Sequence, residues 1–233
     1  MYDLWFNGSD TSIKEVNIEK RIDIPAAKQR KEKITIPGRD GDYYLQEDTW
    51  EDIEIKVEMN FRCEDPDGWN AKWRFIKEWL RGSGILRTSD DPNYQYRVKK
   101  ISIEKVERPL RRQGKFRAAF LCDPYQYLIS GSNFESVKNG VLRNPLNYNA
   151  YPIYKILGEG VCDLTVNGYT ISANVGQNLI IDTERQLTYR EDGTLQNTAI
   201  AGEYTELILH PGRNEIMITE GFVLDVQPNW RCI

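Results

Sequence analysis

Residue types that carry chemistry are sparse in these 233 residues. A Ser-His-Asp or Cys-His set would have to use the single histidine, His210. It stands beside the Pro211-Gly212 turn with no obvious carboxylate to orient it, so a turn histidine bonded locally is the stronger reading. Carboxylates between Asp40 and Glu58 could supply a glycosidase pair, but on alternate strand positions they describe a solvated face. Asp65-Pro66-Asp67-Gly68 begins like a calcium loop and lacks the twelve-residue ligand pattern with its terminal Glu. Cys63, Cys122, Cys162 and Cys232 are far apart, each at or after an apolar run. They read as buried free thiols in a reducing compartment, not zinc ligands. No glycine-rich loop cradles a phosphate. The expectation is no catalytic site, no metal and no cofactor, hence no enzyme.

One charge feature stands out. Arg97, Lys99, Lys100, Lys105, Arg108, Arg111, Arg112, Lys115 and Arg117 face only Glu104 and Glu107 within their stretch, with Tyr94, Tyr96 and Phe116 interleaved. Such a pattern can bind single-stranded nucleic acid. The favoured reading is the polar face of a hairpin meeting the acidic strand Asp48–Glu58 of the same domain.

The elements that must position these residues centre on one helix, expected over 67–81. Trp69, Trp73, Ile76 and Leu80 share a stripe that Phe75 and Trp79 widen, with Lys72 laying its stem along the core. Asp65 or Asp67 can cap it, Pro66 suits its start, and Gly82 can end it. Around it the chain reads as strands. Ile53, Ile55, Val57, Met59, Phe61 and Cys63 alternate with polar residues in the clearest half-buried strand. Asp3–Phe6, Ile18–Ile24, Lys33–Ile36, Gly84–Arg87, Tyr94–Glu107 and Phe116–Cys122 also read as strands, with a bulge between Val98 and Ile101. Residues 25–33 read as a basic loop, and Pro37-Gly38-Arg39-Asp40-Gly41 as an exposed turn. The first domain, 1–131, is thus an antiparallel β-sandwich with one amphipathic helix across it.

From 132 to 233 the strands are short and evenly punctuated. Val161–Val166 and Tyr169–Ala173 flank Asn167-Gly168, a strong hairpin signal; Asn178–Asp182 is set to pair with Gln186–Arg190. Glu206–His210, Glu215–Thr219 and Phe222–Val226 follow, describing an all-β sandwich. Net charge is −4, split as +1 over residues 1–130 and −5 over 131–233, which announces no nucleic-acid binder. No run of eighteen apolar residues and no signal peptide is seen, so no membrane is expected.

The pattern resembles the distal tail (Dit-like) proteins of long-tailed, non-contractile bacteriophages. In the first domain the resemblance rests on Pro37-Gly38-Arg39-Asp40-Gly41, the strand ending Phe61-Arg62-Cys63, the helix after Asp65-Pro66, and Phe120-Leu121-Cys122-Asp123-Pro124-Tyr125. In the second it rests on Asn139-Gly140, Tyr151-Pro152, Gly158-x-Gly160, Val166-Asn167-Gly168, Asp182, Pro211-Gly212-x-Asn214 and Trp230. It implies a structural virion protein, made in the bacterial cytoplasm, whose first domain closes a ring of typically six copies at the tail tip. The ring would join the tail tube to the tip or receptor-binding proteins, and viral DNA would pass its lumen without specific binding. The second domain would be a galectin-like or carbohydrate-binding-module-like sandwich outside the ring. The alternative is a host-glycan binder using that sandwich, whose one tryptophan is Trp230. A ring needs two different patches that meet. The candidate interface residues are Arg39, Asp40, Asp48, Asp52, Glu54, Glu58, Arg97, Lys99, Arg111 and Arg112, with acidic residues Asp48, Glu51, Asp52, Glu54 and Glu58 as one patch and the basic stretch Arg97–Arg117 as the other.

Overall fold

The computed structural model describes residues 2–12, 14–137 and 140–233, without the side chain of Asp48. The fold is mainly β, with several antiparallel sheets. It divides into two compact units, the first running to Gln126 and including Ile233, the second covering Tyr127–Cys232. The turn-rich stretch beginning at Gly131 belongs to the second unit.

In the first unit, hydrogen-bonded strands follow the order Ser9–Asp10, Leu4–Phe6, Gly84–Thr88, Asp91–Ile103, Gln113–Leu128, Ile53–Arg62, Val16–Ile18. The two ends of this path are joined by only five residues, 11–15, so the sheet must curl toward itself. Phe6 and Phe120 confirm it. Their strands are three steps apart, about 14 Å along a flat sheet, yet the ring centroids are 5.9 Å apart. The inward residues of the strand Ile53–Arg62, namely Ile55, Val57, Met59 and Phe61, fill the space so enclosed.

The helix follows from its capping residues and its stripe. Asp65 accepts a hydrogen bond from the Asp67 amide at 3.1 Å, opening a 3-10 turn over Pro66–Gly68, and the α-helix then runs Trp69–Trp79. It is shorter than expected at both ends, because Pro66-Asp67-Gly68 takes the tighter turn and the chain leaves helical geometry at Leu80. Gly82 supplies a positive φ of 83° just beyond. Trp69, Ile76 and Leu80 are buried, and Trp73 stacks on Phe61 (6° between planes) and meets Phe116 edge-on at 5.1 Å. Gly114, paired in register with Phe61, makes room: a Cβ there would lie 2.3 Å from that ring. Phe75 does not widen the stripe; it is 48% exposed, with the Lys14 ammonium 4.5 Å from its ring. Lys72 does as its position demands, its stem largely buried and its ammonium bonded to Glu15.

Three strand expectations in this unit need correction. The strand expected over Ile18–Ile24 stops at Ile18. Among the described residues, the backbone bonds between residues 19–28 and 51–58 are those from the Glu19 amide to the Glu58 carbonyl (2.9 Å) and from the Glu51 amide to the Lys28 carbonyl (2.8 Å). Nine residue steps then face seven across the gap, so no one-to-one ladder can form. Residues 25–33 are not simply a loop, since Gln29–Ile34 pairs with Tyr43–Trp50 as a separate two-stranded sheet. The strand expected over Tyr94–Glu107 instead runs Asp91–Ile103, starting directly after the Ser89-Asp90 turn.

The second unit is built on one long hairpin, Ile153–Val166 and Tyr169–Asp182, each strand fourteen residues. Asn167 (φ 51°) and Gly168 (φ 91°) turn it. Its ladder runs unbroken from Val166↔Tyr169 to Ile153↔Asp182. The sequence divides these strands because Gly158 and Gly160 interrupt the apolar alternation. The backbone nevertheless continues through them opposite Gln177 and Val175. Val223–Gln227 and Gly212–Ile218 pair with the first long strand, and Leu187–Tyr189 with the second. Glu206–His210 is not a strand; Tyr204–Leu207 forms a 3-10 turn, and Leu209 makes an isolated bridge to Ala150.

Asn214 is fully buried and ties this unit's turns together. Its Oδ1 accepts from the His210 amide and from Asn167 Nδ2, both at 2.8 Å, while its Nδ2 donates to the His210 carbonyl at 2.9 Å. Removing it leaves buried groups unpaired, so Asn214→Ala should cost about 1–3 kcal/mol. In the first unit, Ile76→Ala should cost about 2–5 kcal/mol, whereas Phe75→Ala should stay under about 1 kcal/mol. Urea melts of the full chain check all three, and a Phe75 loss as large as that of Ile76 would restore the wider stripe.

Candidate functional site

Among the described residues no hydrogen bond joins a carboxylate to the His210 ring. Its amide donates locally to Asn214, but its ring Nδ1 lies 3.2 Å from the side-chain oxygen of Asn149, 61 residues away, so the ring is bonded across the unit and not within its own turn. Among the described residues no three His, Cys, Asp or Glu come together as metal ligands. All four cysteines are free; Cys63, Cys122 and Cys162 are buried and Cys232 is half-buried. Burial, and then the neighbouring Asp123 and Asp52 charges, push the Cys122 thiol up to about 12. Because the thiolate is the reactive form, Cys122 should resist alkylation in the folded chain at pH 8 and react fully in denaturant. Mass-spectrometric mapping of iodoacetamide adducts checks this.

The surface charges are the remaining candidates, and the sheet sorts them. Pairing of Ile53–Arg62 with Gln113–Leu128 sets Arg117 directly opposite Glu58, and their side chains meet at 2.7 Å. The Arg117 hydrogen bond, then the Lys20 charge, hold the Glu58 carboxyl below the usual range. Lys115 lies 2.8 Å from Glu19 and lowers that carboxyl in the same way. Lys99 reaches Asp52 at 2.6 Å and Asp123 at 2.9 Å. Burial works to lower the Lys99 ammonium, yet these two hydrogen bonds hold it above its ordinary value. Glu54 meets Lys56 on its own strand at 2.9 Å. Arg97 is half-buried, opposite Ile85 in the ladder.

Three of the nine basic residues of the stretch, Lys99, Lys115 and Arg117, therefore meet acidic residues of their own chain. Asp52, Glu58, Lys99 and Arg117 do not stand as separate patches of opposite sign. Arg39 and Asp40 sit at the exposed hairpin tip between Gly38 (φ 81°) and Gly41 (φ 80°). The Asp48 side chain lies outside the described atoms. Arg111 and Arg112 occupy the turn between Glu107–Leu110 and Gln113–Leu128, exposed and without a carboxylate partner among the described residues. Beside them Arg108 is held by carbonyls, donating to Arg111 at 2.6 Å and Pro66 at 3.2 Å, with its guanidinium 4.8 Å from the Trp69 ring centre.

The feature that sequence reasoning missed is the Gln29–Ile34/Tyr43–Trp50 hairpin. Among the described residues it pairs with no third strand. Directly opposed residues share a face of a ladder, so Ile34 with Tyr43, and Glu32 with Leu45, make one side. Lys33 with Tyr44, and Lys31 with Gln46, make the other. Ile34, Tyr43 and Leu45 are 38%, 51% and 46% exposed. Lys33 is bound to Asp42 at 2.8 Å near the tip, and Glu51 closes the base on Lys28. The short strand expected over Lys33–Ile36 and the two glycines of the 37–41 turn were its visible signals.

No protein-family model matches the chain, and no curated protein matches it in sequence. Among solved structures it is similar to the Dit protein of phage SPP1, described as a paradigm of the hub adsorption apparatus in phages that infect Gram-positive bacteria. The TM-score is 0.71 at 13% identity, and the match covers 97% of this chain and 98% of that one. Across both units, the chain has a Dit-like fold.

Proposed function

We propose that the chain is a structural protein of a phage tail, closing into a ring of six copies at the tail tip. The observation that carries this reading is the Dit-like fold along nearly the full length of both chains. In this reading the first unit forms the ring, and the ring joins the tail tube to the tip or receptor-binding proteins. Viral DNA passes the lumen without specific binding, and the chain, made in the bacterial cytoplasm, is a scaffold and not an enzyme.

The free-standing hairpin supports assembly. Two strands alone are marginally stable in water, and an apolar face left exposed on such a pair marks a contact surface. A glycan-binding role for the second unit gains no support from its tryptophan. Trp230 is 5% exposed and packs against Gly131, where a Cβ would come within 2.7 Å of its ring, so it offers no open face to a sugar.

Native mass measurement tests the ring. Six copies of 27.1 kDa give about 160 kDa, with closed cyclic symmetry visible by negative-stain microscopy. A monomer at all micromolar concentrations, or an isologous dimer, would overturn the ring.

A further inference from the structure

Two carboxylates meet where the two-stranded hairpin leaves the sheet of the first unit. The hairpin strand Tyr43–Trp50 runs into the core strand Ile53–Arg62 through only two residues, Glu51 and Asp52. Cys122↔Ile53 is the last register pair between that core strand and Gln113–Leu128. One step beyond it, the antiparallel order sets Asp123 against Asp52. Cys122 and Ile53 are buried, so by alternation both aspartates belong to the outer face. Like charges directly opposed across a ladder destabilise it. Here they would press the two segments apart at the root of the hairpin.

Lys99 answers both charges. It comes from Asp91–Ile103, with Gln113–Leu128 lying between that strand and Ile53–Arg62. Its ammonium is 2.6 Å from Asp52 and 2.9 Å from Asp123, so one cation joins three neighbouring segments through charge-assisted hydrogen bonds. The other charges on this face are Glu54, bonded to Lys56 at 2.9 Å, and Arg97, two residues before Lys99. The other leg of the hairpin is held differently. Ile22 and Ala27 pack against the core, and the Lys28 carbonyl accepts the Glu51 amide at 2.8 Å.

We propose that Lys99 is a positioning residue, which clamps the opposed Asp52 and Asp123 and thereby fixes the direction in which the Gln29–Ile34/Tyr43–Trp50 hairpin leaves the sheet. A lysine that sequence offers as a subunit contact is thus turned to its own chain. The hairpin pairs with no third strand among the described residues, so the hold at its root decides where it points. The use of this clamp in assembly rests on the ring reading: a hairpin already held in one direction loses less freedom when copies join. The clamp itself is a property of one chain.

The test is a distance distribution in the monomer, below the concentration at which copies join. Spin labels at Arg39→Cys on the hairpin tip and Arg74→Cys on the helix, both exposed, report the hairpin's direction by double electron–electron resonance in a Cys232→Ser background. Lys99→Met keeps the stem and removes the charge. It should broaden the distribution about twofold, with circular dichroism and melting temperature nearly unchanged, since ion pairs this exposed add little stability. Adding Asp123→Asn to Lys99→Met should restore the narrow distribution, because the amide does not repel Asp52 and donates to it from Nδ2. A distribution that stays narrow in Lys99→Met, or stays broad in Lys99→Met/Asp123→Asn, would overturn the clamp. So would broadening that comes only with a general loss of melting temperature, which would make Lys99 an ordinary stabilising residue. A wild-type chain that never assembles overturns the ring reading alone, since the distances are measured on monomers.

Discussion

The ladder between Ile53–Arg62 and Gln113–Leu128 is the constraint on which the first unit depends. Ten consecutive register pairs, from Gln113↔Arg62 to Cys122↔Ile53, fix every side chain of both strands to one face or the other. A slip of one residue would turn the whole apolar set outward. Because the register holds, Ile55, Met59, Phe61, Phe116 and Phe120 point into the curled sheet, and the helix finds an aromatic bed for Trp69 and Trp73. The same register brings Glu58 opposite Arg117 on the outer face. Core and surface electrostatics are therefore one decision of the backbone.

That coupling explains what was legible in the sequence. Ile53–Arg62 alternates so strictly that the strand, its face and its partner's polarity follow from the period alone. The helix was equally visible through Asp65-Pro66 and its tryptophans, although the periodicity counted Phe75 into a stripe that the sheet does not reach. In the second unit, Asn167-Gly168 announced its hairpin, since few other pairs accept two positive φ values in succession. The full length of the strands was hidden by Gly158 and Gly160. Glycines break a hydropathy pattern without breaking a backbone ladder.

The Gln29–Ile34 strand was hidden for a different reason. Its residues, Gln-Arg-Lys-Glu-Lys-Ile, carry no alternation because neither face is buried within the unit. Periodicity reports a strand only through the core it faces, so a strand with no core leaves no period to read. The ion pairs within the chain were hidden for a related reason. Sequence shows sign and spacing, but only the register shows that Lys99 and Asp52, and Arg117 and Glu58, already answer each other within one chain.

These internal pairs bear on how the proposed ring would be held. Exposed ion pairs in water contribute little and are screened by salt, and here many of the first unit's candidates are already spent inside the subunit. In the proposed ring, contacts between copies would then draw on apolar area, with a few unpaired arginines left to set direction. Exposed apolar side chains such as Ile34, Tyr43, Leu45 and Leu110 lie outside the core and on the segments where charge is left over. Such a surface should assemble through burial of area and discriminate through charge. The outer face of the Ile53–Arg62 ladder, neutralised by its own pairs, presents no dense positive strip on which a passing polyanion would be held.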